Sequence, residues 1–194
     1  MLHSEEDILQ AVQEDEWMMD VLRAASTLEL RDWWVCAGFV RSKVWDMQHG
    51  YSGRTPLADV DVIYFDSSNA KESNEKALEA TLMQRMPAVP WSVKNQARMH
   101  TVNGVAPYTS ASDGMAKFPE TATALGLSLN TGGEPILCAP HGIQDALTVT
   151  VRPTPHFLNR PELHAIYEKR VASKRWEKVW PQLRIIPIAN PAAQ

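Results

Sequence analysis

The chain has 194 residues, a formal net charge of -4 and 44% hydrophobic residues. These values fit one globular domain able to bury a core. They argue against a protein built mainly to coat nucleic acid, which needs a broad basic surface, so no DNA partner is expected. The two cysteines, Cys36 and Cys138, lie in apolar runs without a Cys-x-x-Cys or Cys/His pattern, and are expected to be buried free thiols in a reducing compartment. The acidic, amphipathic start lacks the features of a signal peptide, and no apolar stretch reaches the roughly 20 residues of a membrane span. A soluble, cytoplasmic protein with no membrane partner is expected.

Ser4, with acids directly after it, reads as a helix cap, and the apolar spacing beyond it predicts one or two helices over residues 4–29. The apolar run from Asp32 to Gly38 predicts a buried strand, with a helix from Phe39 to Gly50. Residues 50–56 read as a loop. Asp59–Phe65 alternates and is rich in β-branched residues, which predicts a second strand. A helix over 70–86 ends at Met86-Pro87. Trp91–Asn95 predicts a third strand running into a helical turn, and 103–120 a long loop with a short helix. Leu125–Leu129 and Ile136–Cys138 form a predicted hairpin around Asn130-Thr-Gly-Gly133. A helical turn over 142–147, a strand over 148–152 and a helical region from Pro161 to Trp180 complete the chain. Within that last region the spacing of Leu163, Ile166, Tyr167, Trp176, Val179 and Trp180 predicts a buried stripe, with the cations on the wet side. The predicted organisation is one α+β domain over 1–194: N-terminal helices 1–29, a core 30–152, and a helical C-terminal extension 153–194.

The chemistry-bearing feature is a strand, a glycine and a helix, with Asp-x-Asp on the next strand. Residues two apart on a strand face the same way, so Asp59 and Asp61 are expected to project together. Two close carboxylates repel unless a cation lies between them. Magnesium suits such an all-oxygen site and also binds nucleotide phosphates. Gly38 at a helix start permits close approach of a phosphate, which the free N–H groups and the helix dipole favour. Arg41, one turn on, can add charged hydrogen bonds. Each element alone is common; their order and spacing carry the reading. The histidines show no ligand spacing, and the serines show no nucleophile-elbow context.

Ala37-Gly-Phe-Val-Arg-Ser42 resembles the Gly-Gly-x-Val-Arg-Asp signature of polymerase-beta-type nucleotidyltransferases, especially the head domain of CCA-adding and poly(A)-polymerase-like enzymes. Leu57-Ala-Asp-Val-Asp-Val62 resembles their metal-binding strand, and Ala139-Pro-His-Gly-Ile-Gln-Asp-Ala-Leu147 a later element of the same enzymes. Over residues 30–185 the chain is similar to the bacterial nucleotidyltransferase family proteins. The resemblance implies a nucleotidyltransferase fold with a small mixed central sheet flanked by helices. It also implies magnesium-dependent transfer of a nucleoside monophosphate from NTP to an acceptor hydroxyl, with release of pyrophosphate. Asp59 and Asp61 would be catalytic and hold the metal. Gly38, Phe39, Arg41 and Ser42 would contact the triphosphate. The acceptor, whether small molecule, protein or RNA, is not specified.

Two positions of the signature differ: its first glycine is Ala37, and its last acid is Ser42. The third carboxylate of active members is not identifiable; Lys94 or Asn95 stands on the expected strand, and Asn95 is taken as the corresponding position. Asp113, Glu120 and Asp145 are candidates to supply it from elsewhere. The alternative reading is a catalytically degenerate NTP-binding, regulatory or interaction module of the same fold.

Overall fold

The computed structural model describes residues 1–188. The last six residues of the expected C-terminal extension lie outside them. The N-terminal segment forms two helices, α1 (Glu5–Gln13) and α2 (Glu16–Ser26). Ser4 and Asp7 cap α1 reciprocally: the Asp7 N–H donates to Ser4 Oγ, and the Ser4 N–H to Asp7 Oδ2. Asp15 caps α2 by accepting from the Met18 N–H. The same carboxylate holds Lys43 and Arg54, so the cap also ties α2 to two later segments of the chain.

The sheet has five strands: β1 (Trp33–Cys36), β2 (Val60–Tyr64), β3 (Trp91–Asn95), β4 (Gly126–Leu129) and β5 (Pro135–Cys138), in spatial order β3-β2-β1-β4-β5. Helix α3 (Gly38–Gln48) comes after β1, and α4 (Glu72–Arg85) carries the chain from β2 to β3. That crossover makes β2 and β3 parallel, whereas the other pairs are antiparallel. The expected hairpin joins β4 to β5, with Asn130 Oδ1 accepting from the N–H groups of Gly132 and Glu134. Pro135 sits on the edge strand, where a missing N–H is tolerated.

Short helices cover one side of the β3 end: α5 (Gln96–Asn103) and α6 (Ala111–Met115), both within or beside the expected loop. Then come α7 (Gln144–Leu147), β6 (Thr150–Val151), α8 (Pro155–Leu158) and α9 (Pro161–Lys174). The C-terminal region departs from the expected helix to Trp180. Helix α9 stops at Lys174, Arg175 turns left-handed with φ 48°, and a 3-10 turn spans Trp176–Lys178. The break lets Trp176 and Trp180 turn inward onto Trp45, edge to face, with ring centroids 5.9 and 5.1 Å away. A seventh strand, β7 (Arg184–Ile185), then pairs with β6. Ile166 and Val179 leave the expected buried stripe and are exposed.

One core cluster runs from Leu2 to Ile188 and takes the sheet face of Val35, Val62, Val93 and Leu127; a second, smaller one gathers Cys36, Ile63, Ala111, Met115 and Ala124 on the other face. Cys36 is buried and Cys138 only half-buried, so the expectation holds fully for the first thiol alone; both are free. Among the described residues no helix is long and apolar enough to cross a membrane.

The sheet edge is fastened by a buried ion pair. Glu75 of α4, fully buried, accepts from Arg98 Nε and Nη2 at 2.9 and 2.7 Å and from the Asn95 N–H at 2.9 Å. Removing one partner strands the other without compensation. Glu75→Leu should therefore cost about 3 kcal/mol in denaturant unfolding, at the lower end for a buried pair because Arg98 keeps some water. A loss below roughly 1 kcal/mol, the worth of an exposed pair, would show the contact to be dispensable.

Candidate active site

The site begins where β1 ends. Cys36 lies opposite Asp61 in the β1–β2 ladder, and Ser92 lies beside Asp61 on the other flank. Partners in a ladder share a face, so Asp61 and Ser92 project together one residue before the chain turns into α3. The Ser92 hydroxyl lies close enough to the Asp61 carboxyl to favour its charged form. Asp59 lies just ahead of β2, exposed, and its charge acts on Asp61. Burial first, and the Asp59 charge second, push the Asp61 carboxyl up to about 6; Ser92, Arg170 and Lys174 pull the other way. Burial first, and then the same two acids, raise the Cys36 thiol, so it stays protonated and inert.

The turn into α3 is strained. Ala37 has φ 57° and ψ -118°, which L residues rarely adopt. It stands where the resembling signature has glycine. Its N–H donates to the Leu125 carbonyl, and its carbonyl accepts the Arg41 N–H, so both neighbours fix the strained backbone. No side chain caps α3, which leaves its first-turn N–H groups open to an anion.

The residues expected around a triphosphate are placed unequally. A Cβ on Gly38 would lie 3.7 Å from Arg41 Nη2, so the guanidinium tip sits beneath the helix start. The rest of Arg41 is buried among Trp45, Trp176 and Trp180, with its guanidinium carbon 4.9, 4.8 and 5.2 Å from their ring centroids. Its Nε has no hydrogen-bond partner, and Nη2 donates to Ser42 Oγ at 2.9 Å. Burial pulls Arg41 down to about 10, with Glu120, Asp59 and Asp46 opposing, so it remains a cation at neutral pH. The Phe39 and Ser42 side chains are buried, Phe39 against Trp17, which leaves the Phe39 backbone rather than its ring to meet a ligand.

Asn95 does not face Asp61. It pairs with Tyr64, one residue out of phase, and so projects from the opposite face. There it is buried: Oδ1 accepts from the N–H groups of Asp66 and Ala97, and Nδ2 donates to the carbonyls of Asp66 and Asn69. The strand position beside Asp61 belongs to Ser92. The other candidate acids are engaged elsewhere. Asp113 holds Lys117, and Asp145 accepts from Thr121 Oγ1 and pairs with Arg152. Glu120, fully buried, holds Arg170 Nε at 2.6 Å and accepts from Thr123 Oγ1. Arg170 reaches the site through its charge on Asp61 and by lining the cleft; the helical pattern had assigned it to the wet side.

Two carboxylates and a hydroxyl form an all-oxygen donor set, which fits a hard divalent cation. Among the described residues no group of three or more His, Cys, Asp or Glu gathers as a metal cluster, so water and ligand oxygens would complete the shell.

A family model described as nucleotidyltransferase matches residues 23–185. A solved structure described as an NMR structure revealing a CCA-adding enzyme head domain is 36% identical, with a TM-score of 0.87, over 96% of this chain and 98% of that one. A tRNA nucleotidyltransferase complexed with a primer tRNA and an incoming ATP analog is 17% identical, with a TM-score of 0.52, over 86% of this chain and 46% of that one. An apo CCA-adding enzyme is also 17% identical, with a TM-score of 0.54, over 91% of this chain and 42% of that one. The last two share the fold, and the chain spans less than half their length. No curated protein sequence matches the chain.

The strain at Ala37 gives a direct test. Ala37→Gly removes a penalty of order 1–3 kcal/mol and adds back roughly 0.5–1 kcal/mol of unfolded-state entropy. The variant should melt higher than the parent. A lower melting temperature would mean that the Ala37 methyl is worth more than the strain it imposes.

Proposed function

The chain belongs to the nucleotidyltransferase family, and from that premise we propose that it is a magnesium-dependent enzyme. It transfers a nucleoside monophosphate from NTP to an acceptor hydroxyl. The observation that carries the reading is the Asp59/Asp61 pair, two mutually repelling acids held beside an uncapped helix start. A structural role gives no reason to keep such repulsion, whereas a cation relieves it. The free thiols of Cys36 and Cys138 support a reducing, cytoplasmic setting.

In this reading Asp59 and Asp61 hold magnesium, and the α3 N–H groups with the Arg41 tip take the triphosphate. The chemistry supplied by bound magnesium is charge neutralisation on phosphate oxygens and acidification of the acceptor hydroxyl. The acceptor oxygen forms a bond to the α-phosphorus. The bond from that phosphorus to its bridging oxygen breaks, pyrophosphate leaves, and the hydroxyl proton passes to solvent. Ser92 orients Asp61 but is a poor proton acceptor. Its presence at the third position also supports a second reading, a nucleotide-binding module with weak turnover.

Asp59→Ala with Asp61→Ala should abolish magnesium-dependent ATP binding in calorimetry and leave a folded protein of equal or higher melting temperature, because repulsion is removed. Undiminished magnesium-dependent affinity would defeat the proposal.

Pyrophosphate release separates the two readings. A positioned base contributes roughly 10²–10⁴-fold, so Ser92→Asp should raise turnover by about tenfold or more. Asn95→Asp should leave turnover unchanged and cost about 1–3 kcal/mol of stability, because the Asp66 and Asn69 carbonyls lose their Nδ2 donor. A gain from Asn95→Asp rather than Ser92→Asp would place the missing acid on the other face.

A further inference from the structure

The cleft at Asp61 opens into a cavity of about 590 Å³, within the range of pockets that enclose small molecules. It runs from Asp61 along Ile63 and Lys94, on the β3 side. Ala37, which caps α3, lines one end of it, whereas Asp59 and Gly38 do not, so the cavity meets the helix start at Ala37 and extends away from Asp59. A triphosphate held at Gly38 and Asp59 leaves the part of this volume between β3, α5, α8 and α9 for the second substrate.

The lining has two chemistries. Tyr108, Phe118 and Phe157 make aromatic walls. At the mouth, Val102 of α5 and Ile166 of α9 are 61% and 53% exposed. Exposed aliphatic side chains on both lips of a cavity favour a partly apolar guest over a hydrated polyanion. The charged lining has one acid, Asp61, against three cations: Lys94, Lys117 and Arg170. Lys117 is already paired with Asp113, and Arg170 with Glu120. Lys94 has neither an ion-pair nor a hydrogen-bond partner among the described residues. It pairs in the ladder with Ile63, so it shares the face that looks into the cavity. Glu79, which feels the Lys94 charge, is itself paired with Lys76, so the ammonium beside these apolar walls is left to pair with a ligand anion.

We propose that this cavity is the acceptor site, and that the acceptor is a small amphipathic anion: an aromatic or branched apolar body, an anionic group paired with Lys94, and a hydroxyl presented at Asp61. The inference rests on the nucleotidyltransferase reading of that site. The transfer step is the one given above, with the acceptor oxygen bonding the α-phosphorus, pyrophosphate leaving and the proton passing to solvent. The reading favours a small molecule over an RNA acceptor.

The test uses 6-hydroxy-2-naphthoate, which carries all three features, and its neutral carboxamide, each titrated by fluorescence without nucleotide. Magnesium-ATP is titrated separately on the same samples. The parent should bind the carboxylate about tenfold tighter than the amide, the worth of one charged contact. Lys94→Met should erase that preference, and Ile166→Glu should weaken both probes. Both variants should keep their melting temperature and their affinity for magnesium-ATP. Absence of probe binding to the parent, equal binding by the variants, or competitive displacement of the probe by magnesium-ATP or by a short RNA hairpin would overturn the acceptor assignment. Persistence of magnesium-ATP binding dependent on Asp59 and Asp61 in those cases would leave the nucleotide reading standing, so the two failures are distinguishable.

Discussion

Pairing of Cys36 with Asp61 in the β1–β2 ladder positions nearly everything at the site. Because β1 ends at Cys36, the chain must turn within one residue to enter α3. The strained Ala37 and the uncapped helix start are therefore held against Asp61. The parallel β2–β3 register then sets Ser92 beside the same carboxyl and sends Asn95 to the opposite face. A slip of one residue in either ladder would reverse these faces and bury the acids among the apolar side chains of the other side. The site is thus a property of register, and the buried apolar positions of the three strands hold that register.

The C-terminal region takes part in the same arrangement. Trp176 and Trp180 close over Trp45, and the Arg41 guanidinium lies among the three rings. Trp180 also donates its indole N–H to Asp46 at 2.8 Å. A cation buried this way loses hydration and regains part of the loss from ring faces and from the acids around it. The break in the helix after Lys174 allows both indoles to reach α3. Arg170, one turn before the break, is left facing Asp61 and anchored by Glu120.

Charge is divided sharply across the cleft. On the helix-start side lie two acids that repel; on the β3 side lies a largely apolar volume with an unpaired lysine. In the proposed reading a metal-bound polyphosphate would answer the first imbalance, and an apolar anion the second. The two halves meet at Asp61, the carboxyl that burial and its neighbour make the most reluctant to ionise.

Much of the fold was legible in the sequence because its signals are local. Apolar runs, alternation, the Ser4 cap and the Asn130-Thr-Gly-Gly turn gave the strands, most of the helices and the β4–β5 hairpin. Alternation placed Asp61 on a strand, whereas Asp59, expected on the same strand, lies just ahead of it. Three things were decided only in the tertiary structure. Parity relative to β2 chose Ser92 over Asn95, since the face of a strand has no meaning until its partner is registered. Contact with Trp45 ended α9 early and formed β7, since that packing joins segments far apart in the chain. Closure of α5, α8 and α9 over the sheet created the cavity and turned Ile166 and Arg170 toward it, since a volume enclosed by separate elements leaves no periodic mark in any one of them.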